Sequence, residues 1–361
     1  MRPLDKGTGA ASGYTPRTNI QFAGNNAPIM TRIFGTSNPL TTDCLMLLLY
    51  RVKSMAFTTV QPVSAVNIDI AVKAIAKRIT DIYKEASVPL TQRLGNFCSY
   101  CEIPLPGLVE VEHVLPKSYY PLFATEWTNF LMSCGPCNTQ KSNTPDRVTV
   151  AGWIGKANPT EAEYQTEIRT KHYIWPDIDP SSYRALPCEL WYNTGTIWQR
   201  IDTWHAADYK NHVTSMSIPG RSVKAKIYTQ IGVLDADVQV RIAPSSSTAT
   251  KATEIINLCG LNYLGDPTST YDRRVVNRTM AWFTVTMAAG LLENVTTQAE
   301  FDLMWPLILS HAQSTGFYSV WVTIFNTYHP NTDLTRTLAQ VFVNDSDKPL
   351  YFPNTNKTQV P

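Results

Sequence analysis

Four of the seven cysteines of this 361-residue chain stand close together, as two Cys-x-x-Cys pairs. The pairs are Cys98 with Cys101 and Cys134 with Cys137. Two such turns supply the four thiolates that a tetrahedral zinc ion prefers, and they leave no position open for water. The spacing therefore predicts a closed, structural zinc site, with four ordinary buried thiols as the alternative. The remaining cysteines are isolated in apolar surroundings and are expected in the core: Cys44, Cys188 and Cys259.

The segment between the two cysteine pairs carries further residues that could do chemistry. VEVEH at 109–113 alternates apolar and acidic residues, which predicts a short strand ending at Glu112 and His113. NFLMS predicts a second strand with Asn129 at its start, and GPCNTQK predicts a helix that carries Asn138 and Lys141. Carboxylate and amide oxygens suit a hard divalent cation, and an imidazole can take a proton from water near neutral pH.

This strand–strand–helix order resembles the HNH endonuclease family and its ββα-metal fold. The resemblance covers about residues 98–143 and includes the motifs EHxxPKS, WxN and CxxCN, with a lysine three residues later. The sequence of this stretch is also similar to HNH effectors of Septu-type bacterial anti-phage systems. It departs from the commonest family pattern twice, because Glu112 stands in place of Asp and Asn138 in place of the final His. Both replacements keep an oxygen ligand.

The resemblance implies a role for each residue of the motif. His113 would be the general base, and Glu112 and Asn138 would bind a catalytic Mg²⁺ or Mn²⁺. Asn129 would orient the loop and polarise His113 rather than bind metal. Glu110 could be an additional ligand, but an exposed strand residue is the simpler interpretation.

Basic residues at two places could bind a phosphate backbone. Lys117 and Lys141 lie near the motif and could neutralise nearby phosphates, although a solvated surface position is equally expected for each. Lys73, Lys77 and Arg78 belong to a strongly periodic segment and could contact DNA as well. Charges on a solvated helix face are expected in any case, so we assign these three residues no role from the sequence.

The remaining sequence predicts the elements that must hold this module. VNIDIAVKAIAKRITDIYKEA places isoleucines at helical spacing and is the clearest helix of the chain. ELWYNTGTIWQRI predicts two strands that turn at Asn193-Thr-Gly, and the sequence from about residue 271 onward predicts long helices. We therefore expect an α+β fold, in which a small ββα-metal HNH module with a four-cysteine zinc site is embedded in a larger, mostly helical body.

We expect three regions along the chain. Residues 1–90 would form an N-terminal arm and helical region, 91–150 the HNH nuclease module, and 151–361 a mixed, then mainly α-helical C-terminal domain. The composition, with 43% hydrophobic and 17% charged residues, indicates a globular protein. The longest apolar run, CLMLLLY, is too short to cross a bilayer. Cysteines in tight pairs fit a reducing compartment, so we expect a cytoplasmic protein without a membrane partner.

The leading hypothesis is a metal-dependent endonuclease that hydrolyses phosphodiester bonds of DNA. The resemblance further implies a bacterial anti-phage effector, which a partner protein such as an ATPase could control. The alternatives are a non-catalytic, zinc-stabilised nucleic-acid-binding module and a structural protein braced by a zinc knuckle. Neither alternative needs Glu112, His113 and Asn138 together. The net charge of +2 does not identify the substrate, so DNA and RNA, in single or double strands, stay open.

Overall fold

In the part of the chain that the structure describes, helices alternate with three small antiparallel sheets. The computed structural model describes residues 1–177 except 3 and 108, and residues 186–193, 196–200, 217–218, 221–222, 238–244, 249–263, 272–292, 295 and 297–328. The mixture of helices and sheets confirms the expected α+β class.

Four helices follow an extended N-terminal arm: α1 (Asn26–Phe34), α2 (Thr41–Val52), α3 (Ala65–Lys84) and α4 (Ser87–Leu94). Helix α3 is the helix expected from the isoleucine spacing, and its residues Ile75, Ile79 and Ile82 are buried. Its first turn is capped by the Ser64 side chain, which accepts a hydrogen bond from the Asn67 backbone amide. Helix α3 packs against α1, α2 and the first strand.

The cysteine-rich segment folds as two strands followed by a helix. Strand β1 (Glu110–His113) and strand β2 (Phe130–Ser133) pair antiparallel, with His113 opposite Phe130. Helix α5 (Gly135–Lys141) begins two residues after β2 and has a proline in its first turn, where the missing amide costs no hydrogen bond. The order of elements is the one that the sequence predicts.

Two short helices, α6 (Arg147–Ile154) and α7 (Glu161–Thr166), follow, and α7 continues into a π-helical stretch, Glu167–His172. Strands β3 (Cys188–Asn193), β4 (Trp198–Arg200) and β7 (Val238–Ile242) form a three-stranded sheet in the order β4–β3–β7, and β5 (Ser217–Ile218) pairs with β6 (Arg221–Ser222). The β3–β4 pair confirms the expected hairpin strands, while residues 194–195 of its turn lie outside the described residues.

The C-terminal part contains four described helices: α8 (Ala249–Leu258), α9 (Arg274–Leu292), α10 (Gln298–Thr315) and α11 (Tyr318–Tyr328). Helices α9, α10 and α11 confirm the long helices expected after residue 271, and the chain turns at Gly316 between α10 and α11. Gly316 has a φ of 68°, and a Cβ atom there would lie 2.5 Å from the Glu102 carbonyl oxygen. This close approach requires glycine. None of the described helices combines the length and apolarity needed to cross a membrane.

Among the described residues, a cluster of buried apolar side chains includes members of all three expected regions. Its buried members include Ile75 of α3, Tyr100 beside the first cysteine pair and Trp282 of α9. The boundaries proposed at residues 90 and 150 stay predictions. The first cysteine turn is also attached to α11, because the Glu102 carboxylate accepts hydrogen bonds from the Ser319 amide at 2.8 Å and hydroxyl at 2.7 Å. A carboxylate at a helix N-terminus is favourable because the free amides there carry partial positive charge.

Candidate functional site

The four predicted zinc ligands come together in the structure. The Sγ atoms of Cys98, Cys101, Cys134 and Cys137 lie within 4.8 Å of one another, and those of Cys101 and Cys134 are 3.6 Å apart. Four sulfur atoms at about 2.3 Å from a central zinc ion lie about 3.8 Å from each other. The cluster therefore fits a tetrahedral site with four thiolate ligands. Zinc there would contribute on the order of 10 kcal/mol of apparent binding free energy to folding.

The three isolated cysteines are core residues, as expected. Cys44, Cys188 and Cys259 are all buried and none belongs to the cysteine cluster. Burial raises the pKa of the Cys44 and Cys188 thiols to about 12. These thiols are therefore neutral at physiological pH and act as small apolar side chains.

An arginine from the C-terminal part completes the surroundings of the cysteine cluster. Nη1 of the buried Arg274 donates to Cys137 Sγ at 3.1 Å and to the Cys259 carbonyl oxygen at 2.6 Å. Asp272 holds the same guanidinium through bonds of 2.9 and 2.7 Å. Because four thiolates carry more charge than one Zn²⁺ ion, a neighbouring cation stabilises the loaded site. No local sequence pattern predicted this contact.

A cleft of about 810 Å³ opens beside β1 and α5. Its lining contains four of the expected site residues: Glu112, His113, Lys117 and Asn138. Residues of α3 and α4 also line the cleft: Tyr83, Lys84 and Ser87. The two other expected residues, Asn129 and Lys141, are buried behind this surface.

His113 lies at the floor of the cleft and is only 5% exposed. Its Nε2 atom is 3.0 Å from the Ala124 carbonyl oxygen. A carbonyl oxygen only accepts, so Nε2 carries the hydrogen and Nδ1 keeps the lone pair that can take a proton. The Tyr83 and Phe130 rings meet the imidazole edge-on, with centroids 4.5 and 5.2 Å away. Burial lowers the pKa of His113 to about 3, which keeps the ring neutral at pH 7.

Asn129 braces the loop that follows β1. Its Oδ1 atom accepts from the Leu115 amide at 2.7 Å, and its Nδ2 atom donates to the carbonyl oxygens of Leu115 at 3.1 Å and Phe123 at 3.0 Å. Phe123 precedes Ala124, whose carbonyl binds the His113 ring. The Asn129 side chain thus bonds to the loop backbone, and its role in orienting His113 stays a prediction.

Lys141 occupies a different position from the one expected. Its side chain is fully buried, and Nζ lies 2.7 Å from Glu112 Oε1 and donates to the His113 carbonyl oxygen at 2.7 Å. A lysine without exposed surface cannot contact a phosphate, so we correct the phosphate-binding role expected for Lys141. Burial raises the pKa of Glu112, and the ammonium group of Lys141 opposes this shift.

The cleft also contains side-chain oxygen atoms of the types found in sites for hard cations. Asn138 Nδ2 donates to Glu110 Oε2 at 2.6 Å, and both residues line the cleft together with Glu112. Two carboxylates and an amide oxygen are ligands of the kind that Mg²⁺ binds while keeping several waters. Lys117 also lies along this cleft, with Nζ 5.1 Å from the centroid of the Tyr83 ring. Tyr83 was not among the expected site residues, because it lies 30 positions before its partner His113 and no local pattern connects the two.

The geometry thus describes an α+β protein with a four-cysteine cluster next to a polar cleft. An alignment 55 residues long, which covers 14% of this chain, shows 44% identity to Septu protein PtuB of Bacillus thuringiensis. The aligned stretch spans about a fifth of that relative, 21% of its length. No protein-family model matches the chain, and no solved structure matches it. The similarity to a Septu protein is therefore partial.

Proposed function

We propose that this chain is a metal-dependent HNH endonuclease that hydrolyses phosphodiester bonds of DNA. One observation carries the proposal. His113 lies at the floor of a cleft shared with Glu112 and Asn138, and Ala124 holds its Nε2 so that Nδ1 can accept a proton. Phosphodiester hydrolysis needs a base for the attacking water and a cation near the leaving oxygen. The neutral imidazole of His113 and the oxygen atoms of Glu112 and Asn138 are groups of the types that these two tasks require, and this supports the proposal.

In this proposal each side chain has a defined task. His113 Nδ1 takes the proton from the attacking water. Glu112 and Asn138, with Glu110 beside them, would hold a Mg²⁺ or Mn²⁺ ion, and such an ion would stabilise negative charge on the phosphate and the leaving oxygen. Lys117 binds phosphate at the cleft. The buried zinc site keeps β2 and α5 in place and takes no part in the chemistry.

The biological setting is a further part of the proposal. The partial similarity to a Septu protein supports a role in bacterial anti-phage defence. An endonuclease that acts on DNA must be restrained until infection. We therefore propose that a partner protein, such as an ATPase, controls its activity.

The first test compares wild type and His113→Ala on supercoiled plasmid, with added Mg²⁺ or Mn²⁺ and with EDTA. We expect metal-dependent nicking by wild type and a loss of at least about 100-fold in the variant, because a positioned general base contributes that much or more. His172→Ala is the matched control, since His172 stacks on Trp153 at 3.6 Å, away from the cleft. This control should nick like wild type.

Three other outcomes carry information about the proposal. Nicking that survives in folded His113→Ala protein would remove His113 from the catalytic role. Cleavage of RNA but not DNA by wild type would keep the catalytic proposal and change the substrate. DNA binding without cleavage, by zinc-loaded protein in the presence of its partner, would favour the non-catalytic binding module.

A further inference from the structure

The exposed face of helix α3 carries three lysines in line: Lys73, Lys77 and Lys84. At 3.6 residues per turn, these positions lie within about 40° of one another around the helix axis. At a rise of about 1.5 Å per residue, the line from the first to the last lysine is about 16 Å long. The three side chains therefore form a straight basic stripe, which we call the lysine stripe.

The positive charge of the lysine stripe is not balanced by its surroundings. The acidic residues in and directly after α3 are each bound to an arginine: Asp69 to Arg51 at 3.0 Å, Asp81 to Arg78 at 3.3 Å, and Glu85 to Arg17. Within the part of the chain that the structure describes, no carboxylate pairs with the three lysines. Asp69 lies one turn before Lys73 and Asp81 one turn after Lys77, so this face carries both signs. Because an arginine already pairs with each of these carboxylates, the three lysines remain available to a polyanionic partner.

The lysine stripe leads to the candidate active site. Lys84 lines the same cleft as His113, and so does Lys117. At the other end of α3 the same face becomes apolar, with Ile70 and Val66 exposed. The basic surface is therefore bounded on one side and continuous with the cleft on the other.

We propose that the lysine stripe binds the sugar-phosphate backbone of a DNA strand and leads it to His113. Each strand of a duplex presents one negative charge per about 3.4 Å of helix axis, so a stripe of about 16 Å runs beside about five phosphates. Lysines on a backbone position the DNA and read no bases. The stripe therefore gives sequence-independent affinity. The identity of the ligand rests on the proposed function.

The test measures DNA binding and does not require cleavage. Affinity for a fluorescent duplex is measured by anisotropy at several salt concentrations, without added divalent cation. In the variant Lys73→Gln/Lys77→Gln/Lys84→Gln, the negative slope of log K against log salt should lose about 2.7 of its magnitude, because each phosphate contact contributes about −0.9. Binding should weaken equally on unrelated sequences.

A second triple variant controls for the change in net charge. Lys156, Lys171 and Lys251 each bind a protein oxygen, on Glu163, Glu167 and Thr170. Their replacement by glutamine should keep the wild-type slope. If the first triple variant fails to fold, judged by its thermal unfolding and zinc content, Lys77→Gln alone should reduce the magnitude of the negative slope by about 0.9.

The outcomes separate this proposal from the proposed function. If wild type cleaves DNA and the stripe variant shows the wild-type salt dependence, the lysine stripe does not bind the DNA backbone, while the endonuclease proposal is retained. If wild type does not cleave DNA, but its binding depends on salt more steeply than that of the stripe variant, the lysine stripe binds DNA and the endonuclease proposal is wrong. An equal loss in both triple variants reports net charge alone and overturns the stripe. Wild-type protein that binds no DNA overturns it as well.

Discussion

At the scale of single residues, the buried ion pair of Glu112 and Lys141 stabilises the end of the strand that carries His113. Both side chains are shielded from water, and their atoms Oε1 and Nζ are 2.7 Å apart. The same ammonium group also binds the His113 carbonyl oxygen. Lys141 therefore fixes the end of β1 in addition to neutralising its carboxylate.

Removing Lys141 should destabilise the protein strongly. In Lys141→Met the Glu112 carboxylate stays buried without a cation, so the free energy of unfolding should fall by about 3–5 kcal/mol. Urea denaturation of zinc-loaded protein without added magnesium measures this change. Adding Glu112→Gln to the variant should recover much of the loss, because the uncompensated charge is gone. The exposed control Lys77→Met should change little, and an equally small effect of Lys141→Met would refute the buried pair.

At the scale of elements, a second buried cation holds the start of β2. Lys6, in the N-terminal arm, donates to the carbonyl oxygens of Thr128 at 3.1 Å and Phe130 at 2.7 Å. These two residues flank Asn129. The Lys6 ammonium also lies 2.5 Å from Asp177 Oδ2. The arm, the start of β2 and the segment after α7 are thereby tied together next to the candidate site.

This contact predicts a specific acid sensitivity. Burial opposes ionisation of Asp177, but the charges of Arg169 and Lys6 outweigh this effect and lower the pKa of Asp177 to about 2. The Tyr100 hydroxyl also interacts with the Asp177 carboxylate. The unfolded chain, with a pKa near 3.8, binds the proton first. The carboxylate thus adds about 2 kcal/mol of stability above about pH 4, which is lost as the pH falls to about 2.

The measurement is the free energy of unfolding of wild type and Asp177→Asn between pH 6 and pH 2. The difference between the two proteins should shrink by about 2 kcal/mol over this range, because at low pH wild type also loses the counterion of Lys6 and Arg169. Asp302→Asn, an exposed change on α10, should follow wild type at every pH. A constant gap between wild type and Asp177→Asn would contradict the assignment.

The helices and strands were largely predictable from the sequence, whereas the contacts between them were not. Helix α3 and the order β1–β2–α5 were predictable because their sequence patterns are local. The four-cysteine cluster was predictable because the spacing within each cysteine pair is typical of zinc ligands. The burial of Lys141 was not predictable from the sequence, since it depends on which face of α5 packs against β1. Tyr83 against His113 and Lys6 against Phe130 are contacts between distant segments. No local pattern records such pairs.

At the scale of the whole molecule, the zinc segment is bound to the C-terminal helices at two points. Glu102 bonds to Ser319 at the start of α11, 217 positions away, and Cys137 accepts from Arg274 at the start of α9, 137 positions away. Both contacts are buried. The cysteine cluster therefore links the candidate nuclease segment to the C-terminal part of the chain.

Zinc affinity should accordingly depend on Arg274. In Arg274→Gln the cation beside Cys137 is lost and Asp272 is left without its partner, so zinc should bind about 10–100-fold more weakly. Competition with a chromophoric chelator measures this affinity without any nuclease assay. Arg274→Lys keeps the charge but loses the paired bonds to Asp272. Its zinc affinity should therefore lie between those of wild type and Arg274→Gln. Arg273→Gln, one position earlier, should bind zinc like wild type. Unchanged affinity in Arg274→Gln would show that the C-terminal part packs against the cluster without stabilising its metal.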